Sequence, residues 1–176
     1  MCIRDSGTAD IKIALHGRFN AFNVTAAVVA VTGLGFPFTE VANAASHVLP
    51  VDGRMQEVKS GSDIRVVVDY AHTPDALASA LSALKQSCTG ALWVVFGCGG
   101  DRDAGKRPEM GRVADSLADQ LVVTNDNPRS ESPEMIAEDI LVGITGSTCH
   151  VELDRGAAIR HAVLKARSGD TVLVAG

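Results

Sequence analysis

Strand-like and helix-like segments alternate through most of this chain, and that alternation constrains its fold more than any other feature. Runs of branched and apolar residues typical of β-strands are separated by helix-type segments with short connections. The predicted strands are Ile64–Tyr70, Leu92–Phe96, Gln120–Thr124, Cys149–Leu153 and Thr171–Ala175. The predicted helices lie at about Pro74–Gln86, Pro108–Ala118, Ser132–Val142 and Arg155–Arg167. This order predicts the α/β class, with a Rossmann-like, doubly wound and mostly parallel sheet.

The chain before this region has a different pattern. Alternation over Ile11–Leu15 predicts a short strand, and Gly17–Asn23 opens an alanine- and valine-rich helix that runs to about Thr32. A second helix is predicted from about Thr39 to Val48. One strand and two helices cannot enclose a hydrophobic core. We therefore expect this part to be the tail of a preceding domain.

These patterns divide the chain into three parts. Residues 1–7 show no periodic pattern, and we expect them to be a non-native leader. Residues 8–49 form the end of the preceding domain, and residues 50–176 form the α/β domain. The last predicted strand stops at Gly176, where such folds normally continue into another functional loop. We expect the chain to be truncated at both ends.

The composition narrows the possible environments and partners. The 176 residues carry a formal net charge of −5, which argues against a general nucleic-acid-binding role, since that requires a clustered basic surface. No apolar run approaches the ~20 residues of a membrane span. The first residues lack the apolar core of a signal peptide. These features predict a cytoplasmic protein that does not insert into a membrane.

A glycine-rich loop dense in charge follows the strand Leu92–Phe96. Its glycines are succeeded by Asp101, Arg102, Asp103, Lys106 and Arg107, and its spacing fits neither the phosphate-binding P-loop nor the dinucleotide-binding GxGxxG motif. Such mixed charge at a strand end favours a site for an anion or a zwitterion, with solvated surface charge as the alternative. The one cysteine of the loop, Cys98, is interpreted as a small residue in a tight turn.

The next strand ends in Asp126-Asn127-Pro128-Arg129, so that this loop and the glycine-rich loop can face one crevice. Arg102 and Arg129 can each form bidentate hydrogen bonds to a carboxylate, and Asp126 can bind an ammonium group. The combination predicts a pocket for an amino acid with more than one charged end. A plain turn that caps the following helix is the alternative.

A third polar segment, Asp69-Tyr70-Ala71-His72-Thr73-Pro74, closes the first strong strand. An Asp at such a strand end commonly binds ribose hydroxyls in nucleotide-binding folds. His72 is a weaker candidate for a nucleotide contact. Capping of the next helix accounts for Thr73 and Asp75 without any ligand.

These motifs together resemble the Mur ligases of peptidoglycan synthesis, and among them the members that add meso-diaminopimelate. The resemblance rests on Val68–Pro74, Phe96–Asp103 and Asp126–Arg129, supported by Gly17–Asn23 and the Gly53-Arg54-Met55 turn. It extends from about Gly17 to Gly176. It implies a fragment of an ATP-dependent amide ligase that joins meso-diaminopimelate to UDP-N-acetylmuramoyl-L-alanyl-D-glutamate through an acyl-phosphate intermediate.

The resemblance also implies roles for individual residues. The implied contacts with meso-diaminopimelate are Arg102, Asp126, Asn127, Pro128, Arg129 and Gly176. The implied contacts with ATP are Asn20, Arg54, Asp69 and His72. No catalytic residue is implied within this chain. Family members are expected to act as monomers, with ATP and Mg²⁺.

Other parts of such a ligase are absent from this sequence. The P-loop, the metal ligands, the carbamylated lysine and the UDP-sugar domain are expected upstream, and a Lys-Gly-His-Glu segment is expected after Gly176. We therefore expect the isolated chain to have no ligase activity and to bind diaminopimelate weakly. Two alternatives remain: a Mur-type ligase that adds lysine or glutamate, and a non-catalytic nucleotide- or amino-acid-binding module.

Overall fold

The computed structural model describes residues 8–15, 17–58, 61, 63–146 and 148–176. The chain divides into two compact units, one that ends at Val51 and one that covers Asp52–Gly176. We call them the helical unit and the sheet unit. The predicted leader, residues 1–7, lies outside the described residues.

The helical unit consists of α1 (Arg18–Gly33) and α2 (Phe38–Ala45). The predicted strand at Ile11–Leu15 is wrong, because these residues adopt no regular structure. Alternation alone does not make a strand, since a strand also needs a partner, and the described part of this unit contains no other strand.

The sheet unit confirms the predicted α/β class. Its strands are β1 (Gln56–Val58), β2 (Arg65–Asp69), β3 (Leu92–Phe96), β4 (Gln120–Val123), β5 (Cys149–Val151) and β6 (Thr171–Ala175). Its helices are α3 (Pro74–Lys85), α4 (Lys106–Leu117), α5 (Pro133–Leu141) and α6 (Arg155–Lys165). The strand order is β1-β2-β6-β3-β4-β5, and only β1 runs antiparallel to its neighbour.

The topology places helices on both faces of the sheet. The connections through α3, α4 and α5 lead in one direction along the strand order, whereas the connection through α6 returns from β5 to β6. Because parallel crossovers are right-handed, α6 lies on the opposite face from the other three helices. On its face, Ala158 and Ala162 pack against Val95, Val122 and Val172.

The ends of the helices follow from local chemistry. Thr73 caps α3 by accepting a hydrogen bond from the Ala76 amide at 3.3 Å, and Pro74 occupies the first helical turn. Helix α4 begins at Lys106, two residues before the predicted start at Pro108. None of the helices in the described part of the chain is long and apolar enough to cross a membrane.

A carboxylate at the amino end of the sheet ties three segments together. Asp170, which is 7% exposed, accepts hydrogen bonds from the amides of Ala91 and Arg167 and from the indole nitrogen of Trp93, at 2.8, 2.9 and 3.1 Å. Burial alone would raise the pKa of Asp170, but these donors hold it below its usual value. Asp170 therefore stabilises the fold fully at pH values above its pKa in the unfolded chain. This stabilisation is lost as the pH falls through its lower pKa in the folded state.

We expect Asp170→Asn to be less stable than the wild type at pH 7. The Asn side chain has one acceptor oxygen, and its NH₂ group would face a donor that the second carboxylate oxygen now binds. The difference should shrink as the pH falls below about 4, where the Asp170 carboxylate of the unfolded chain becomes protonated before that of the folded chain. Urea unfolding of both proteins at several pH values measures this. A difference in unfolding free energy that stays constant down to pH 2 would contradict the assignment.

Candidate functional site

Four parallel strands, β2, β3, β4 and β6, end at the same edge of the sheet, and their ends enclose a cavity of about 630 Å³. Residues from all four strand ends line it: Tyr70, His72 and Thr73 after β2; Gly97, Cys98, Gly99, Arg102, Asp103 and Lys106 after β3; Asp126, Asn127 and Arg129 after β4; and Gly176 after β6. This position is where open α/β sheets bind ligands.

The glycines after β3 allow two loops to pack against each other. A Cβ atom on Gly97 would lie 2.3 Å from the carbonyl oxygen of Thr124, and one on Gly100 would lie 1.9 Å from that of Pro128. The amide of Gly100 donates a hydrogen bond to the carbonyl of Asn127 at 2.8 Å. These two glycines are therefore needed for contact between the loops.

The side chain of Arg129 crosses from its own loop to the glycine-rich loop. Its Nη1 donates a hydrogen bond to the carbonyl oxygen of Gly100 and would lie 3.3 Å from a Cβ on Gly99. A guanidinium has five N–H donors, so the other donors of Arg129 remain for the cavity that it lines. The backbone of Arg129 has a φ of 50°, in the left-handed region that non-glycine residues seldom adopt.

Asp101 also has a left-handed backbone, with a φ of 51°, and it binds the second loop. Its carboxylate accepts hydrogen bonds from the hydroxyl of Ser130 at 2.7 Å and from the Ser130 amide at 3.2 Å. The Ser130 hydroxyl, and then the amide, lower the pKa of Asp101. This carboxylate is therefore an internal link between the loops, and it does not line the cavity.

The cavity carries charges of both signs. Arg102, Lys106 and Arg129 line it together with Asp103 and Asp126. Lys106 donates a hydrogen bond from Nζ to the carbonyl of His72 at 2.8 Å, whereas the guanidinium of Arg102 makes no hydrogen bond to any described residue. Such a lining suits a ligand that has carboxylate and ammonium groups and can pair with each.

The segment after β2 places aromatic and cationic groups side by side. The guanidinium carbon of Arg54 lies 4.7 Å from the centre of the Tyr70 ring, and the rings of Tyr70 and His72 are 4.8 Å apart. Nδ1 of His72 is 2.9 Å from the carbonyl oxygen of Tyr70. The carboxylate of Asp69 accepts a hydrogen bond from the Met55 amide at 2.8 Å. This bond fixes the Gly53-Arg54-Met55 turn against β2.

Cys98 lines the cavity, but its thiol is buried and packs against a sulfur of α4. The thiol lies 3.6 Å from the sulfur of Met110, and Cys98 is 2% exposed. Burial raises its pKa to about 11. The positive charges of Lys106 and Arg107 lower this pKa, but by less than burial raises it. A thiol with this pKa stays protonated near neutral pH, which fits a small residue in a tight turn.

The structure brings together most of the predicted ligand-binding residues. Six of them line the same cavity: His72, Arg102, Asp126, Asn127, Arg129 and Gly176. Pro128 does not line it, and its carbonyl instead accepts the Glu131 amide at 2.9 Å. Arg54 and Asp69 lie beside the cavity without lining it, and Asn20 belongs to α1 of the helical unit. Their ligand contacts stay predictions.

Two charged residues link the loops of the site, Arg107 and Glu131. The sequence pattern placed Arg107 only among the charges of the glycine-rich loop and did not single out Glu131. Arg107 is 2% exposed and pairs with Glu131, with 2.8 Å between Nη2 and Oε1. A signal for such partners appears once α4 is seen to begin at Lys106 instead of Pro108. Cations are disfavoured in the first turn of a helix, so Lys106 and Arg107 at the start of α4 require partners outside the helix.

The fold and the cavity define a class: an α/β domain whose strand ends form a crevice lined by charges of both signs. A family model described as "Mur ligase, glutamate ligase domain" matches residues 53–176, and the chain belongs to this family.

Two relatives are UDP-N-acetylmuramoyl-L-alanyl-D-glutamate–2,6-diaminopimelate ligases. The one from Chromobacterium violaceum is 49% identical over 97% of this chain. The one from Vibrio vulnificus is 48% identical, also over 97%. The chain spans 35% of the length of each of these relatives.

Solved structures agree with the fold. A structure of a UDP-N-acetylmuramoyl-L-alanyl-D-glutamate–2,6-diaminopimelate ligase matches 98% of this chain and 36% of its own, with a TM-score of 0.70 and 41% identity. The folylpolyglutamate synthase of Mycobacterium tuberculosis, solved with ADP and AMPPCP, matches 96% of this chain and 39% of its own. Its TM-score is 0.72 and its identity is 20%, which shows a shared fold alone.

Proposed function

We propose that this chain is the amino-acid-recognising part of an ATP-dependent ligase that adds meso-diaminopimelate to UDP-N-acetylmuramoyl-L-alanyl-D-glutamate. The observation that carries the proposal is the position of Arg102, Arg129 and Asp126 on one cavity. The names of the two 48–49% identical relatives supply the substrate. The reaction belongs to peptidoglycan synthesis in the cytoplasm, where ATP is available.

The residues of the cavity have distinct roles in this proposal. Meso-diaminopimelate has an ammonium and a carboxylate at each end. The guanidinium groups of Arg102 and Arg129 bind the carboxylate of the far end, and Asp126 binds its ammonium group. Asn127 and Gly176, which also line the cavity, complete the contacts with the amino acid.

Selection against lysine follows from the same contacts. The side chain of lysine ends in an ammonium group alone, and so it would leave the guanidinium groups without a carboxylate. A site that pairs with a specific polar group discriminates strongly against an analogue that lacks it, because its own polar groups are left unpaired. We therefore expect the cavity to prefer meso-diaminopimelate to lysine.

ATP would be bound on the neighbouring side of the site. We propose that Arg54, Asp69 and His72 of the sheet unit contact the nucleotide. The ATP contact that the resemblance implies for Asn20 stays a separate prediction. In the reaction ATP phosphorylates the γ-carboxyl group of the D-glutamyl residue, and the amine then displaces phosphate to form the amide. Among the described residues, no group of three or more His, Cys, Asp or Glu side chains is placed to hold a metal.

The helical unit is proposed to be the end of the domain that precedes the sheet unit in such a ligase. Val28, Ala42 and Ala45 are its buried apolar residues in the described part of the chain. Phe22 and Leu34 are 68% and 79% exposed. Exposed apolar side chains of this size are consistent with a surface that packs against further protein.

A chimeric enzyme tests the proposal. Residues 8–176 replace the matched segment of the Chromobacterium violaceum relative, and phosphate release is measured with ATP and UDP-N-acetylmuramoyl-L-alanyl-D-glutamate. We expect turnover with meso-diaminopimelate and at least about a hundredfold lower kcat/KM with L-lysine. A folded chimera that prefers lysine or glutamate, or that ligates neither substrate while its parent is active, would refute the proposal.

A further inference from the structure

Arg107 is a buried cation that joins three segments around the cavity. Its Nη2 pairs with Glu131 at 2.8 Å and its Nη1 pairs with Asp139 of α5 at 2.9 Å. Its side chain is 2% exposed, whereas those of Glu131 and Asp139 are 32% and 49% exposed. Burial of a guanidinium is costly, and its position in the first turn of α4 adds to that cost.

Glu131 extends this contact to the glycine-rich loop. The oxygen that pairs with Arg107 also accepts a hydrogen bond from the backbone amide of Asp101. Asp101 in turn accepts hydrogen bonds from the amide and hydroxyl of Ser130. Arg107, and then the Asp101 amide, lower the pKa of Glu131, which keeps it charged at neutral pH. Each loop thus donates to the other: the Asp101 amide of the glycine-rich loop donates to Glu131, and Ser130 of the second loop donates to Asp101.

Arg129 belongs to the second loop, next to the residues that contact the glycine-rich loop. Residues with left-handed backbones flank the junction on both sides, Asp101 at a φ of 51° and Arg129 at 50°. Such conformations persist only where surrounding contacts hold them. The side chain of Arg129 rests on the carbonyl of Gly100, so its direction depends on where the glycine-rich loop lies.

We propose that Arg107 is a positioning residue for amino-acid binding: through Glu131 it holds the two loops together, and so directs Arg129 and Arg102 into one cavity before the ligand arrives. Donors fixed in advance lose little conformational freedom on binding, which increases affinity. The identity of the ligand rests on the proposed function, whereas the loop contact does not.

The two partners of Arg107 separate this role from simple stabilisation. Glu131 connects Arg107 to the loops, and Asp139 connects it to α5 alone. Glu131→Ala therefore removes the link to the cavity, and Asp139→Ala is its matched control. Arg107→Met removes both ion pairs. The Glu131 and Asp139 variants keep the comparison informative if Arg107→Met fails to fold.

The experiment measures meso-diaminopimelate binding to the 176-residue chain by NMR titration, with amide hydrogen exchange and thermal unfolding for each variant. We expect Glu131→Ala to weaken binding about tenfold, by analogy with the loss of an outer partner that orients a metal ligand. Asp139→Ala should stay within about twofold of the wild type. The amides of Gly100 and Asp101 should exchange faster in Glu131→Ala only.

Unchanged affinity in Glu131→Ala, or equal weakening in both variants, would overturn the positioning role. If the wild-type chain itself does not bind meso-diaminopimelate, the proposed function of this chain loses its support. The loop contact is still tested in that case by hydrogen exchange. Faster exchange at Gly100 and Asp101 in Glu131→Ala alone supports it, and equal exchange in both variants overturns it.

Discussion

Gly100→Ala is expected to destabilise the sheet unit by roughly 3 kcal/mol, the upper range for overpacking at a site that cannot relax. The new Cβ atom would lie 1.9 Å from the carbonyl oxygen of Pro128 and 2.7 Å from its carbonyl carbon. Both are backbone atoms, so no side-chain rotation relieves the clash. The loops cannot separate freely either, because the Gly100 amide is bound to the carbonyl of Asn127.

Gly105→Ala provides a control on the same connection. Gly105 has a φ of −61°, which any residue adopts, and its Cβ would meet only the Asp103 carboxylate oxygen at 3.1 Å. The free energy of unfolding of Gly105→Ala should differ from that of the wild type by less than about 1 kcal/mol. Urea unfolding of the two variants measures the contrast. Equal stability of Gly100→Ala and Gly105→Ala would show that the loops do not pack as described.

Arg129→Met is expected to weaken binding of meso-diaminopimelate roughly a hundredfold, since it removes one partner of a charge-assisted contact. Because Arg129 also binds the carbonyl of Gly100, part of the loss would come from movement of the loop. Arg129→Lys tests whether the geometry of the guanidinium matters beyond its charge. It retains the charge but lacks the planar fork, and so it should recover little of the affinity.

Arg102→Met complements this variant because Arg102 makes no hydrogen bond to any described residue. We expect its thermal stability to match the wild type while its affinity for meso-diaminopimelate falls more than about tenfold. Arg160→Met on α6 is the control for the loss of one positive charge. Calorimetric or NMR titrations give the affinities. Equal effects of Arg102→Met and Arg160→Met would mean that only net charge matters.

The sequence predicted the centre of the sheet well because β3, β4 and β6 are buried on both faces. Continuous apolar runs such as Leu92–Phe96 leave little choice of structure, and short connections to helices imply parallel strands. The grouping of Arg102 with Asp126 and Arg129 follows from the same logic, since parallel strands end at one edge. The order of the strands, with β6 between β2 and β3, is not encoded in any local pattern.

Contacts that form only after folding account for what the sequence did not predict. The charges of the glycine-rich loop predicted a ligand site, but the sequence did not show that Gly97 and Gly100 approach the backbone of a neighbouring loop. Arg107 looked like one more charge in a charged loop, yet it is buried against two carboxylates from distant positions. The strand predicted at Ile11–Leu15 did not form. Each case depends on a tertiary partner that no local pattern shows.

In the proposed function, the cavity between the two loops binds meso-diaminopimelate by its charged far end. The most direct test is an NMR titration of the isotopically labelled 176-residue chain with meso-diaminopimelate, and separately with L-lysine. We predict saturable shifts of the amides in residues 97–103 and 126–131 with meso-diaminopimelate, and at least tenfold weaker binding of lysine. Shifts confined to other residues, or equal affinity for both amino acids, would contradict the account.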